Sequence, residues 1–175
     1  MRRMRHVRGG RGGLVLLLAL TTALAASGCG LQIPADPDGT LDRVSEGVLR
    51  AGASPRDGLV VTGTAEAVSG PLPDLVERFA ATRDADVVWT VGSEEDLVVA
   101  LEEGRLDVAV GGFTTDTPWS DRVSVTRGIP TEAMGGADAG ASAEGSTGES
   151  VIVLPLGENA LQSALEAFVD ERAAR

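Results

Sequence analysis

Residues Ala100–Gly112 read ALEEGRLDVAVGG, a helix that ends, turns on glycine and continues as a buried strand. Gly104 suits the helix end, because glycine enters the left-handed cap conformation without steric cost. Leu106–Val110 is a short apolar run bounded by turn residues, the pattern of a strand covered on both faces. Upstream, Glu94–Glu103 places Leu97, Val98 and Leu101 on one helical side, with Ser93 as N-cap and Asp96 as its capping-box partner. A strand over Val87–Val91 precedes it. Before that strand, a helix over Leu72–Thr82 carries Leu72, Leu75, Val76 and Phe79 as a stripe and Pro73 in its first turn. Further apolar runs lie at Val48–Ala53 and Leu59–Thr64. Downstream, the pattern predicts a short helix at Pro118, strands at Val123–Thr126 and Val151–Leu154, and a helix over Asn159–Ala173 striped by Leu161, Leu165, Phe168 and Val169. Strands alternating with crossover helices predict an α/β fold, a mostly parallel sheet with helices on its faces in three layers. With few aromatics, one modest aliphatic core is expected.

The first residues are of another kind. Five arginines (Arg2, Arg3, Arg5, Arg8, Arg11) precede a mostly apolar run, Leu14–Ala26, that is short for a bilayer span. This is the layout of an export signal. Its end, Leu24-Ala25-Ala26-Ser27-Gly28-Cys29, resembles a bacterial lipobox, although Ala26 stands where leucine is usual. The alternative is an ordinary secretory peptide with an incidental cysteine. Cys29 is the chain's one cysteine, and lipid attachment gives it a chemical use. Residues 1–28 are therefore assigned to a lipoprotein signal peptide and Cys29 to the lipid-bearing residue. That places the remainder on the outer face of the cytoplasmic membrane, with the bilayer as a partner.

Cleavage there removes five of the 15 basic residues, all of them arginine, and none of the 26 acids, so the rest is more acidic than the full chain at −11. Nucleic acid is an unsuitable partner for such a surface. His6 leaves with the leader, and the sequence has no Tyr or Lys. Ser-His-Asp, Cys-His, Schiff-base and His/Cys zinc chemistries are thereby excluded, and no cofactor or metal is expected. A carboxylate-only hydrolase is the one catalytic class left open. Residues 29–40 read as a tether; Asp36-Pro37-Asp38-Gly39 lacks the further ligands of a calcium loop and reads as a turn. Residues 131–150, rich in Gly, Ala, Ser and Glu, read as a flexible linker.

The order of Thr40–Val44, Gly47–Ala53, Gly70 with Asp74, and Ala100–Gly112 resembles the amino-acid-type family of type 2 periplasmic solute-binding proteins (family 3). The resemblance covers roughly 40–130 and again 151–173. It implies one lobe of a two-lobed clamp, formed by 41–130 and 151–175, with Gly70 and Asp74 near the ligand cleft. The family builds a second lobe where this chain has only 131–150, too short and too polar for a domain. Gly128-Ile129-Pro130 also lacks the aromatic of the family's exit strand.

Open parallel sheets present ligands at the carboxyl ends of their strands. Here those ends supply Ser54, Ser93, Gly112, Phe113, Thr114 and Thr115 as candidate binding residues; Phe113 is either an apolar wall or a side chain packed beneath the turn. Asp116-Thr117-Pro118-Trp119 adds Trp119. The resemblance implies an arginine shortly after Thr-Pro to hold a carboxylate, yet position 120 is Ser and the nearest arginine is Arg122, either in solvent or paired with Asp121. One lobe also encloses a small ligand on one side only, so binding is expected to be weak or absent. The expectation is a non-catalytic, solute-binding-protein-like lipoprotein working with an ABC-type permease or another exported protein. Its alternative is a true small-solute receptor completed by a second copy or partner.

Overall fold

The computed structural model describes residues 39–63, 67–135 and 149–175. The leader, Cys29, residues 29–38 of the tether and 136–148 of the linker lie outside the described residues.

A short helix α1 (Thr40–Val44) leads into β1 (Val48–Ala53). The apolar run after β1 is not a core strand. It forms β2 (Val61–Thr62), which pairs antiparallel with β3 (Val68–Ser69) as a separate two-stranded arm. Helix α2 (Pro71–Ala81) starts at Gly70, whose φ of 119° and contact with the Leu59 carbonyl, 2.7 Å from where a Cβ would sit, leave no room for a side chain. Then come β4 (Asp86–Val91), α3 (Glu94–Glu102), β5 (Val108–Val110), β6 (Ser124–Val125), α4 (Thr131–Met134), β7 (Val153–Leu154) and α5 (Asn159–Ala173). The Pro118 segment is a series of turns, with Arg122 and Val123 donating to the Trp119 carbonyl, and not a helix.

The main sheet has the order β4-β1-β5-β7-β6. β1 pairs parallel with both β4 and β5, whereas β7 runs antiparallel between β5 and β6. Four strands thus share one direction, and the late strand β7 returns into the middle. Crossovers over α2 and α3 produce the parallel part, as the alternation predicts.

The sheet is covered on both faces, so there are two cores where one was expected. Leu72, Leu75, Val76 and Phe79 of α2 pack with Leu161, Leu165 and Val169 of α5 against Leu49, Ala51 and Ala53. Leu97, Val98 and Leu101 of α3 pack on the other face with Leu106, Phe113, Val123, Val151 and Val153. Phe79 and Phe168 meet edge to face at 5.7 Å.

The stretch read as linker begins with structure. Ala133 and Met134 of α4 are buried in the first core, and the helix end is held by Arg172 Nε donating to the Ala133 carbonyl (3.1 Å) and Arg78 Nη2 to that of Met134 (3.4 Å). Cations at terminal carbonyls suit the helix dipole. A single helical turn is too short to show periodicity, which is why its sequence looks featureless.

Candidate functional site

The carboxyl ends of β1, β4 and β5 lie side by side. Ala53 is in register with both Val91 and Val110, Ser54 N–H donates to the Val110 carbonyl (2.9 Å), and Gly92 N–H donates to that of Ala53 (3.1 Å). Beyond β1 the chain folds back at once. Arg56 N–H donates to the Val60 carbonyl (2.9 Å) and Val60 N–H to that of Arg56 (2.8 Å), which fixes Arg56 in a tight loop at this edge. Glu94 opens α3 beyond β4, and Gly111 and Gly112 follow β5.

The two glycines allow these segments to close on each other. A Cβ on Gly111 would stand 2.7 Å from the Cβ of Ser54. A Cβ on Gly112 would collide with the Glu94 carboxylate and lie 3.8 Å from Arg56 Nη1. An anionic and a cationic side chain therefore both reach the space above Gly112. Ser54 lies beside Gly111, buried at 7% exposure. A guanidinium fork beside a carboxylate, over glycines that leave room for close approach, suits a small solute bearing charge of both signs.

The sequence-derived candidates divide. Ser54 and Gly112 belong to this edge, as do Thr114, bridged to Ser150, and Thr115, whose N–H donates to the Glu149 carbonyl (3.0 Å). Ser93 is there too, but its hydroxyl is committed to the helix cap: Oγ accepts from Asp96 N–H (3.2 Å) and donates to Asp96 Oδ2 (2.6 Å). Asp74 is exposed in the first turn of α2, where a negative charge favours the helix dipole. Phe113 offers no wall to a ligand. It is 1% exposed and packed in the second core, the second of its two sequence readings.

Trp119 and Arg122 leave the site altogether. Arg122 precedes β6, at the amino ends of the parallel strands, where it grips Glu102 through Nε (2.8 Å) and Nη2 (2.5 Å) and lies 5.4 Å from the Trp119 ring centroid. It remains partly exposed, and its main partner is Glu102 and not Asp121. Its hydrogen bonds hold the Glu102 carboxyl below the ordinary carboxylate range. Sequence reading missed Arg56 and Glu94, although each stands within two residues of a strand-end residue it had singled out.

The same far edge holds a cleft of about 410 Å³ lined by Arg43, Arg50, Glu102, Asp107, Arg122 and Glu158 among others. Asp107, 1% exposed, accepts from Arg43 Nη2 (2.5 Å), Arg50 Nη2 (2.5 Å), Arg50 Nε (3.2 Å) and the Arg50 backbone N–H (2.9 Å). Burial pushes the Asp107 carboxyl up, but hydrogen bonds from Arg50 and Arg43 outweigh it and hold the group below the usual range. This clamp ties α1, β1 and β5 together. Among the described residues no group of His, Cys, Asp or Glu has the arrangement of a metal site, and no helix is long and apolar enough to cross a membrane.

No protein-family model and no curated protein matches the sequence. Solved structures do. The arginine-bound form of domain 1 from TmArgBP matches with a TM-score of 0.58 at 18% identity, over 74% of this chain and 97% of that one. The ancestral amino acid-binding protein AncCDT-1, described as a precursor of cyclohexadienyl dehydratase, gives 0.60 at 12%, over 75% and 92%. A Salmonella typhimurium periplasmic binding protein of high arginine specificity gives 0.56 at 12%, over 73% and 94%. At these identities the likeness is one of fold. The chain has the architecture of a single lobe of a type 2 periplasmic amino-acid-binding protein.

Proposed function

We propose that this chain is a membrane-tethered, extracytoplasmic, non-catalytic binding lipoprotein, the recognition lobe of a solute-handling system. One observation carries the reading: three strand ends bring Arg56, Glu94, Ser54 and Gly112 together on a fold shared with binding proteins. The arginine-rich leader and Cys29 support an anchor in the outer face of the cytoplasmic membrane. An ABC-type permease or another exported protein is the partner of this lobe. Replacing Cys29 with Ala tests the anchor. The full chain moves from the membrane fraction to the soluble fraction and loses fatty-acid label; a variant that stays membrane-bound and labelled sinks this part.

A second reading has its own support. The comparison structure is described as the arginine-bound form of domain 1 from TmArgBP, which supports reading a single lobe of this fold as a solute binder. A true receptor for a small amino-acid-like solute, completed by a second copy or a partner, follows. Thermal unfolding of the full chain with each common amino acid separates the two, because a ligand of the folded state stabilises it by mass action. A shift of several degrees with one solute, lost in Arg56→Ala, establishes the receptor. Flat responses throughout leave the protein-interaction reading. A carboxylate-only hydrolase is the third reading, and AncCDT-1, an amino acid-binding protein, is itself described as a precursor of cyclohexadienyl dehydratase. Turnover abolished by a single Asp or Glu substitution would replace both readings with the hydrolase.

A further inference from the structure

We propose that β4 is a docking edge for a second copy of this chain, the two β4 strands pairing antiparallel about a two-fold axis at Trp89. This reading goes beyond the solute site. Antiparallel pairing sends the two Arg56–Glu94 edges in opposite directions, so the second copy does not complete a ligand site.

β4 is the last strand of its sheet, and among the described residues nothing pairs with its outer side. Six residues long, DVVWTV, it carries no proline, and Asp86 at its start is its one charge. Edge strands are usually protected by charge, proline or a bulge. Val88 is 54% and Val91 36% exposed. Asp86 N–H donates inward to the Gly47 carbonyl (3.0 Å) and Gly92 N–H to that of Ala53 (3.1 Å). Backbone direction alternates along a strand, so Val88 and Thr90 also point inward, and Val87, Trp89 and Val91 present their N–H and C=O outward.

That outward set is symmetric about Trp89. An antiparallel copy sets Val87 against the second copy's Val91 and Trp89 against its own equivalent, satisfying every outward donor and acceptor. Backbone bonds alone do not select the occupant, since any antiparallel strand satisfies the same groups; the charges on the flanks favour a second copy. The flanking groove agrees. About 370 Å³ in volume, it runs between β4 and α3 over Thr90, Val91, Val99 and Ala100, with Asp96 at one end and Arg105 at the other. Two-fold pairing brings the Arg105 end of each copy to the Asp96 end of the other, opposite charge to opposite charge. Arg105 is shared with Glu103 in an exposed pair, a bond weak enough to exchange. Elsewhere a chain of charge −11 repels its own copies.

The register sets Val88 opposite Thr90 of the second copy in a non-hydrogen-bonded pair, the spacing at which side chains come closest. The test uses the full chain in mild detergent. Val88→Cys and Thr90→Cys variants are mixed and oxidised, with Val61→Cys, exposed on the separate β2–β3 arm, as the control for chance collision. The expected result is at least fivefold more mixed disulfide than either the control or Val88→Cys alone. Val91→Pro removes an outward donor and leaves the β1 ladder intact, so it is expected to weaken self-association at least tenfold in light scattering with an unchanged melting profile. Should that variant fail to fold, Val88→Lys, on the open face, serves the same purpose. Trapping no greater than the control, Val88→Cys joining itself as readily as Thr90→Cys, or a monomeric parent chain at about 100 μM would overturn the proposal.

Discussion

Replacing Asp107 with Ala removes the acceptor on which Arg43 and Arg50 converge, and the structure gives the size of the effect. Breaking a fully buried ion pair costs about 3–5 kcal/mol because a charge is left stranded. Here the arginine side chains remain 42% and 37% exposed, so they can turn to water and much of that penalty disappears. What remains is the orphaned Arg50 backbone N–H, about 1–3 kcal/mol, and the loss of charged hydrogen bonds, discounted by exposure to about 1 kcal/mol. The expected loss for Asp107→Ala is therefore about 2–4 kcal/mol. Asp107→Asn keeps an oxygen for the N–H and is expected to lose about half as much. With a urea slope of about 2 kcal/mol per molar, the Ala variant's unfolding midpoint falls by about 1–2 M. Equal loss in the two variants, or a loss under about 0.5 kcal/mol in either, would refute the reasoning.

Other expectations follow from the same geometry. Asp107 and Glu166 both titrate below their ordinary values in the folded chain. Burial pushes Glu166 up but is outweighed by the Arg127 N–H, Gln162 and the Arg127 side chain. Depressed carboxylates give stability that is present above the unfolded value, about 4, and lost as pH falls through the folded one, so melting temperature is expected to hold through pH 5 and drop below pH 4. A chain whose melting temperature rises on acidification to pH 3 would contradict this. Arg127→Ala breaks bonds to Glu166 and Asp170 at a 62% exposed side chain, and denaturant titration should register little or no change in the unfolding midpoint. Met134→Ala opens a gap between α4 and its neighbours and should cost about 2 kcal/mol, whereas a true linker residue would cost nothing. Gly112→Ala displaces only the flexible end of Glu94, so stability should fall by less than about 1 kcal/mol while any amino-acid-induced thermal shift disappears.

Much of the fold is legible because helix caps and stripes are local. Ser93 with Asp96, Gly104, and the run Leu97, Val98, Leu101 each announce themselves within one or two turns, and α5 falls on Asn159–Ala173 as its stripe predicts. Val151–Leu154 is legible as buried but not as antiparallel, since pairing direction depends on strands far away in the chain. The Leu59–Thr64 run is apolar enough for a core strand. Its first residues, Leu59 and Val60, join the first core, and Val61–Thr62 forms an arm because its partner is the nearby Val68–Ser69 and not the sheet. The site was less readable than the fold. Arg56, Glu94 and Gly112 meet only because three loops converge, and nothing within any one loop records the other two. Arg122 teaches the same lesson in reverse: its sequence neighbour Asp121 loses to Glu102, 20 positions away.

The position of β7 sets the order in which the molecule can be completed. Among the described residues β6 pairs with no strand other than β7, and β7 fills the gap between β6 and β5. A ribosome delivering the polypeptide from its amino end thus releases a chain whose sheet stays open until residues beyond 150 emerge. Such a chain cannot complete its tertiary structure until its closing strand has been made, so folding is finished only after nearly the whole polypeptide exists.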